Sequence, residues 1–161
     1  MDKYANNLKA HAKVVMKEIL VAVDGSKQSD EIVGFASVLA KAMLARVVVA
    51  YVIPLPSIPD EYRKLRGKGR MSTEESENKV IAERIVSDME EILNEKGVQH
   101  AGVCERGHPP SKILEIAESR KVDLIVMGVI GYHGLGGQTH ALGSVSRRVI
   151  EGSSIPVVLV P

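Results

Sequence analysis

The stretch VDLIVMGVIGYHGLGGQTHALGS, from Val122 to Ser144, has the composition of a segment that binds phosphate through its main chain. An unbroken apolar run, typical of a strand buried on both faces, ends at Met127. Six glycines follow from Gly128 to Gly143, and helical spacing of apolar residues returns after Ser144. Glycine lets the main chain approach an anion closely, and the first turn of a helix supplies unpaired N–H groups and a favourable dipole. We therefore predict a phosphate-binding loop, in which the Ser144 hydroxyl either caps the helix or donates to the anion.

Glycine-rich loops also connect strands to helices without binding anything, and the segment alone leaves both interpretations open. It lacks the G-x-x-x-x-G-K-[ST] pattern of a P-loop, and no G-x-G-x-x-G runs directly into the helix. A phosphate held here depends mainly on main-chain donors, which favours binding over fast phosphoryl transfer. His133 and His140 flank the loop, but no third ligand stands at a useful spacing, so we predict no metal site.

A second chemically distinctive position is Asp24, which follows the apolar run from Ile19 to Val23. If this run is a strand of a parallel sheet, Asp24 lies at the edge where such sheets bind ligands. The alternative is a structural role, in which the carboxylate caps the next helix or closes a turn with Gly25. Taken alone, the residue favours the structural role.

Strand and helix patterns alternate along the rest of the chain. Helical spacing in residues 29–45 is followed by a Val-rich strand at 47–53. The later elements are a long helix starting near Ser72 with Ile81, Ile85, Met89, Ile92 and Leu93 on its buried face, a weaker strand at 98–104, a short helix around 113–117, a strand at 124–127, a helix at 143–152 and a strand at 155–160.

This alternation predicts an α/β fold with a doubly wound, five-stranded parallel sheet and helices on both faces. Ligands of such sheets lie beyond the carboxyl ends of the strands, where the winding reverses. If the first and fourth strands are neighbours at that point, the strand order is 3-2-1-4-5, and Asp24 and the glycine loop line one crevice. We predict a single domain over residues 18–161, preceded by an N-terminal extension at 1–17.

The composition restricts the classes of function. The 161 residues carry a net charge of +1, which argues against nucleic-acid binding driven by bulk electrostatics. The single cysteine, Cys104, excludes an internal disulfide and fits a reducing cytoplasm. No apolar run reaches the length of a membrane span, and the N-terminus lacks the apolar core of a signal peptide, so we expect a cytoplasmic protein with no membrane partner. The basic loop at 63–70 is either solvated or a contact for a phosphate or a partner.

Several short motifs together resemble those of one family. They are ILVAVDGS from Ile19, GHP from Gly107, DLIVMG from Asp123, YHG from Tyr132, GSVS from Gly143 and IPVVLV from Ile155. With these motifs, residues 17–161 resemble a universal stress protein. ATP-binding members of that family carry G-x-x-G, nine residues and then G-[ST]. Here Gly131-x-x-Gly134 is followed by eight residues before Gly143-Ser144, and Gly128-x-x-Gly131 by eleven.

The resemblance implies ATP, alone or with Mg²⁺, as the ligand of a nucleotide-dependent stress-response switch, at most a slow ATPase. It implies that Asp24 contacts the adenosine portion, that the Val52 main chain reads the adenine edge, and that the glycines and Ser144 hold phosphates. The residues that the resemblance places around the nucleotide are Ala22, Val23, Asp24, Val52, Met127, Gly128, Gly131, Gly134, Gly143, Ser144, Val145 and Ser146.

The resemblance also implies a homodimer formed through the last strand. An alternative within the same family is a dimeric interaction module that binds no nucleotide. A third interpretation, an ATP pyrophosphatase, requires an S-G-G-x-D-S loop, and DGSKQS at 24–29 does not match it.

Overall fold

The structure is a computed structural model, and it describes residues 16–55, 73–129 and 142–161. Several predicted features lie outside these residues. They are residues 1–15 of the N-terminal extension, the basic loop 63–70, Ser72 at the start of the long helix, and Gly131, His133, Gly134 and His140 of the glycine loop.

Strands and helices alternate throughout the described residues, as the sequence pattern predicts. The elements are β1 (Glu18–Val23), α1 (Gln28–Met43), β2 (Arg46–Pro54), α2 (Thr73–Glu95), β3 (His100–Gly107), α3 (Pro109–Arg120), β4 (Leu124–Gly128), α4 (Ser144–Gly152) and β5 (Val157–Val160).

Most element boundaries differ from prediction by a few residues, and two of these differences have clear local reasons. β3 continues beyond Cys104 because its backbone pairs with β2 as far as the Pro54–Gly107 pair. α1 ends at Met43 because Leu44 adopts the left-handed conformation, with φ 55°, and its N–H donates back to the carbonyls of Ala40 and Lys41. This is the usual way in which a helix satisfies its last carbonyl groups.

The five strands form one parallel sheet in the order β3-β2-β1-β4-β5, which confirms the predicted fold class and strand order. The central strand β1 pairs with β2 on one side and with β4 on the other. The winding reverses between β1 and β4, so the strand that ends at Asp24 lies beside the strand that leads into the glycine loop. Both predicted chemical features therefore start from adjacent strands.

Alternation along the strands divides the core into two layers. Ile19, Val21 and Val23 of β1 point to one face of the sheet, where they pack with the buried residues of α1 and α2. Leu20 and Ala22 point to the other face, together with residues of α3 and α4. Within the described residues, no helix combines the length and the apolar character needed to cross a membrane. The longest of them, α2, carries charged residues along its whole length.

Candidate functional site

A cavity of about 620 Å³ opens at the carboxyl ends of β1, β2 and β4. It lies where the winding of the sheet reverses, the position at which open α/β sheets bind ligands. Its volume falls within the range of cavities that hold small molecules and cofactors, roughly 300–1,000 Å³. Residues from all four described helices complete its walls.

The floor on the α3 and α4 side is formed by small side chains. Ala22 of β1 and Ala50 of β2 are register partners, and both are buried. Met127 of β4 pairs with Ala22 from the other side, and Ile113 of α3 packs against the same layer. Because two adjacent strands present only methyl groups here, little side-chain volume occupies the space above them. The result is an apolar part of the cavity wall.

The opposite wall includes an apolar helix face that was predicted differently. Ile81, expected on the buried face of α2, is 55% exposed and lies at the cavity. Met89 and Leu93 are buried, as predicted, and Ala82 and Val86 are buried although they were not predicted. The first half of α2 is therefore turned about its axis relative to the prediction, so that Ala82 and Val86 face inward. This rotation leaves Ile81 at the cavity wall, with the half-buried Ile85 one turn further along.

Asp24 occupies the turn between β1 and α1. Its Oδ1 accepts the Ser26 N–H at 3.0 Å and the Ser29 hydroxyl at 3.4 Å. The structural role considered for Asp24 is therefore present, since the carboxylate closes the turn. The side chain is nevertheless only half-buried and lines the cavity. The turn thus fixes the position of a carboxylate at the cavity edge.

Tyr51, which sequence reasoning did not single out, is an electrostatic neighbour of Asp24. It lies in β2 beside Val23 and also lines the cavity. Burial raises the pKa of its phenol, and the negative charges of Asp24 and Cys104 raise it further. Tyr51 therefore stays a neutral hydroxyl, able to donate and accept hydrogen bonds. A Tyr near the end of a β-strand is a weak sequence signal because it is common in any sheet.

The first turn of α4 borders the cavity beside the end of β4. The Gly143 N–H donates to the Val129 carbonyl at 2.9 Å, and the Gly143 carbonyl accepts the Arg147 N–H at 3.0 Å. The next three main-chain N–H groups, those of Ser144, Val145 and Ser146, have no acceptor within the helix. All three residues line the cavity. The site thus offers an anion three amides and the positive end of a helix dipole.

The Ser146 hydroxyl is committed to the structure. Its Oγ donates toward the carbonyl oxygens of Gly128 at 2.9 Å and Val129 at 3.0 Å, and the residue is buried. A hydroxyl has a single hydrogen, so these two carbonyls share it. Ser146 therefore ties the end of β4 to the first turn of α4. Its main-chain N–H, and not its side chain, is the group available to a ligand.

Most of the predicted site residues meet at this one cavity. Those that line it are Ala22, Val23, Asp24, Val52, Met127, Gly128, Gly143, Ser144, Val145 and Ser146. Gly131 and Gly134 lie outside the described residues. The lining residues that were not predicted come largely from elements whose approach depends on tertiary packing; they are Gly25, Ile32, Ala50, Tyr51, Pro54, Ile81, Ile85, Pro109 and Ile113.

The described part of the chain contains no group of three His, Cys, Asp or Glu side chains placed to hold a metal ion. Asp24 is also the only side chain with a formal charge among the described residues that line the cavity. A phosphate bound there meets amide dipoles and not a lysine or arginine of these residues.

The half-buried thiol of Cys104 lies next to Tyr51 in the sheet. Burial raises its pKa, and the carboxylates of Glu83 and Glu90 raise it further, against the opposing effect of Lys79. Since only the thiolate is nucleophilic, alkylation by iodoacetamide should reach half its maximal rate at a higher pH in the folded protein than in the urea-unfolded chain. The measurement is the alkylation rate against pH, followed by mass spectrometry, and the chain has a single thiol to label.

Glu83→Gln removes one of the carboxylates that raise this pKa and should lower the half-maximal pH of the folded protein. Glu77→Gln removes a charge from the same helix that is not among the causes of the shift, and should leave it unchanged. Identical pH profiles for the folded and unfolded chains would show that the fold does not perturb the thiol.

A model of the Universal stress protein family matches residues 16–161. This span includes every element of the described fold. The chain belongs to the universal stress protein family. The resemblance carried by the short motifs is thereby confirmed. A universal stress protein of Methanocaldococcus jannaschii is 32% identical over 159 residues, covering 96% of this chain and 88% of that protein.

Solved structures of the family share the fold. A universal stress protein from Lactobacillus plantarum gives a TM-score of 0.76 at 20% identity, over 92% of this chain and 100% of that chain. A universal stress protein from Archaeoglobus fulgidus, solved in complex with dAMP, gives a TM-score of 0.64 at 24% identity, over 92% and 100% of the two chains. At these identities the likeness establishes the common architecture.

Proposed function

We propose that this universal stress protein binds ATP in the cavity at the carboxyl ends of β1, β2 and β4, and acts as a nucleotide-dependent switch. The observation that carries the proposal is a cavity lined by two chemically different parts. One is the apolar surface over Ala22 of β1 and Ala50 of β2, and the other is the first turn of α4, which follows β4. An adenine nucleotide has the same division, with a flat base at one end and an anionic chain at the other.

Asp24 also lines the cavity, in the turn after β1, the strand that lies between β2 and β4. A carboxylate is an acceptor for hydroxyl groups, so it suits a ribose better than a phosphate, which it would repel. This supports the assignment of Asp24 to the adenosine portion of the ligand. The dAMP complex of the Archaeoglobus fulgidus protein supports an adenine nucleotide as the ligand of this fold.

The donor set favours binding over rapid cleavage. Enzymes that transfer phosphoryl groups quickly place Lys, Arg or metal ions on the charge that develops in the transition state. The described cavity residues supply main-chain amides for that purpose and no cationic side chain. We propose Mg²⁺ as the partner of the phosphate charge when ATP is bound, and a signalling role that depends on occupancy and not on turnover.

The direct test is mass spectrometry of any small molecule released when the purified protein is denatured, followed by titration calorimetry of the emptied protein with ATP, Mg-ATP, dAMP and GTP. Released adenine nucleotide and preferential binding of ATP over GTP are the expected results. No released ligand, together with no heat and no thermal shift on adding Mg-ATP, would favour the alternative of an interaction module without nucleotide.

Asp24→Asn should weaken ATP binding by about two- to tenfold, the loss of one hydrogen bond worth roughly 0.5–1.5 kcal/mol. Asn keeps the acceptor oxygen that closes the turn, so the change removes charge and leaves the fold intact. Calorimetry of ATP and adenosine measures the effect, and adenosine should lose at least as much affinity as ATP, because the neutral side chain no longer repels the phosphates. Ser29→Ala is the matched control, because it removes the hydrogen bond from the Ser29 hydroxyl to Asp24 and leaves the carboxylate itself in place. Unchanged adenosine affinity in Asp24→Asn would remove Asp24 from the site.

We also propose that the protein is a homodimer joined through β5. This strand is at the edge of the sheet and its four residues, Val157–Val160, are all apolar and only half-buried. An uncovered apolar edge invites uncontrolled pairing, and a second copy of the same strand would cover it. Sedimentation equilibrium is the check, and a monomer at micromolar concentration would contradict this assembly.

A further inference from the structure

The phenolic hydroxyl of Tyr51 is a polar group of the cavity to which the proposed site gives no role. Tyr51 lies near the carboxyl end of β2, is half-buried and lines the cavity. Its ring packs against the core layer formed with α1 and α2. Within the described part of the chain the hydroxyl makes no hydrogen bond to protein, and its oxygen remains accessible. The hydroxyl is therefore available to a ligand.

Tyr51 stands beside the turn that holds Asp24. It is the register partner of Val23, the residue before Asp24, and neighbouring strands lie about 4.8 Å apart. Burial raises the pKa of the Tyr51 phenol, and the negative charge of Asp24 raises it further. The phenol stays protonated at neutral pH, so the cavity offers a hydrogen-bond donor close to a carboxylate that only accepts.

The Asp24 carboxylate by itself does not suffice to hold two adjacent hydroxyl groups. Its Oδ1 accepts the Ser26 N–H and the Ser29 hydroxyl, which occupies both lone pairs of that oxygen. Each hydroxyl of a ribose can both donate and accept a hydrogen bond. When one of them donates to Asp24, its neighbour needs a second protein group, and a neutral hydroxyl suits it.

We propose that the Tyr51 hydroxyl binds one of the two ribose hydroxyls of the nucleotide while Asp24 accepts the other, so that the pair selects ribonucleotides over deoxynucleotides. This inference rests on the proposed nucleotide site and adds the residue that selects the sugar. Ala22 and Ala50 line the cavity from one face of the sheet, and Tyr51 lines it from the other. Because one cavity spans the ends of β1 and β2, a sugar over these strand ends meets both side chains.

The test compares ATP with 2′-deoxy-ATP and 3′-deoxy-ATP by titration calorimetry, in the unchanged protein and in Tyr51→Phe. Phenylalanine keeps the ring that packs on the core and removes only the hydroxyl. In the unchanged protein, removing the ribose hydroxyl that Tyr51 binds should weaken affinity by about two- to tenfold. In Tyr51→Phe, ATP should bind more weakly by the same factor, and the preference for that hydroxyl should disappear. The preference for the other hydroxyl should remain.

Ser37→Ala is the matched control. It removes a hydroxyl that donates to the Gly34 carbonyl within α1, and Ser37 does not line the cavity. This variant should keep the three affinities of the unchanged protein. Because the readout is a ratio between ligands, a general loss of stability in either variant would not reproduce the expected result.

Two outcomes would overturn the inference and leave the proposed nucleotide site in place. In the first, the unchanged protein binds ATP and both deoxynucleotides equally well, so that no ribose hydroxyl is recognised. In the second, Tyr51→Phe keeps both preferences or loses the same affinity for all three nucleotides, which would give Tyr51 a purely structural role. No binding of ATP by the unchanged protein would instead remove the nucleotide site, and this inference with it.

Discussion

Ser144→Pro should weaken ATP binding by roughly ten- to hundredfold, the loss of one charge-assisted hydrogen bond of about 1.5–3 kcal/mol. Ser144 is the first residue of α4, a position where Pro is favoured because its missing N–H has no acceptor within the helix. The preceding residue, Gly143, has φ −58° and ψ 154°, a conformation compatible with a following Pro. The substitution therefore removes a proposed phosphate donor at little cost to the fold.

The informative comparison is with Ser144→Ala, which removes the hydroxyl and keeps the amide. Calorimetry of ATP and of adenosine with both variants separates the contribution of the Ser144 amide to binding from that of its hydroxyl. We expect a large loss for ATP with Pro, a small loss for ATP with Ala, and no loss for adenosine with either. Equal ATP affinities for the two variants would show that this amide does not hold a phosphate. Equal losses of ATP and adenosine with Pro would indicate damage to the fold.

Gly25→Ala should destabilise the protein by about 1–2 kcal/mol, because a β-carbon is unfavourable in the left-handed backbone conformation. Gly25 has φ +76°, and a β-carbon added there would stand 2.7 Å from Cδ1 of Ile85. Ile85 would have to move away from the turn that holds Asp24. Urea titration measures this loss as a lower free energy of unfolding. The slope of that free energy against urea concentration should be the same in the variant and in the unchanged protein.

Gly34→Ala is the matched control for Gly25→Ala. Gly34 lies within α1, and a β-carbon added there would meet no atom within 4 Å. The same change of residue should there stabilise the protein by about 0.5–1 kcal/mol, because Ala is the better helix former. If both substitutions changed the free energy of unfolding in the same direction, the close contact of Gly25 with α2 would not be needed for stability.

The fold was predictable because its main signals are local. A parallel strand buried on both faces needs a continuous apolar run, and Leu20–Val23 and Ile125–Met127 show it directly. Asp24 and the glycine loop were the only distinctive residues that followed such runs. Placing those two strands side by side therefore predicted both the strand order and the location of the cavity.

The remaining parts of the candidate site depend on packing between elements that are distant in sequence. The helical spacing of α2 fits more than one rotation about its axis, and only contact with the sheet decided that Ala82 and Val86 turn inward and Ile81 faces the cavity. Likewise, the sequence placed Ser146 near the nucleotide without saying what its hydroxyl contacts, and the carbonyls of Gly128 and Val129 come within its reach only once β4 and α4 are joined.

The sequence by itself determined which residues stand at the ends of the strands, because side-chain alternation and apolar runs are properties of neighbouring residues along the chain. The tertiary structure decided what those residues contact. The pKa of Tyr51 rises through burial and through the charge of Asp24, a residue in the turn that follows a different strand. Gly25 is constrained by Ile85 of α2, far along the chain. Such distances are set by strand register and helix rotation, and both result from the packing of the whole core.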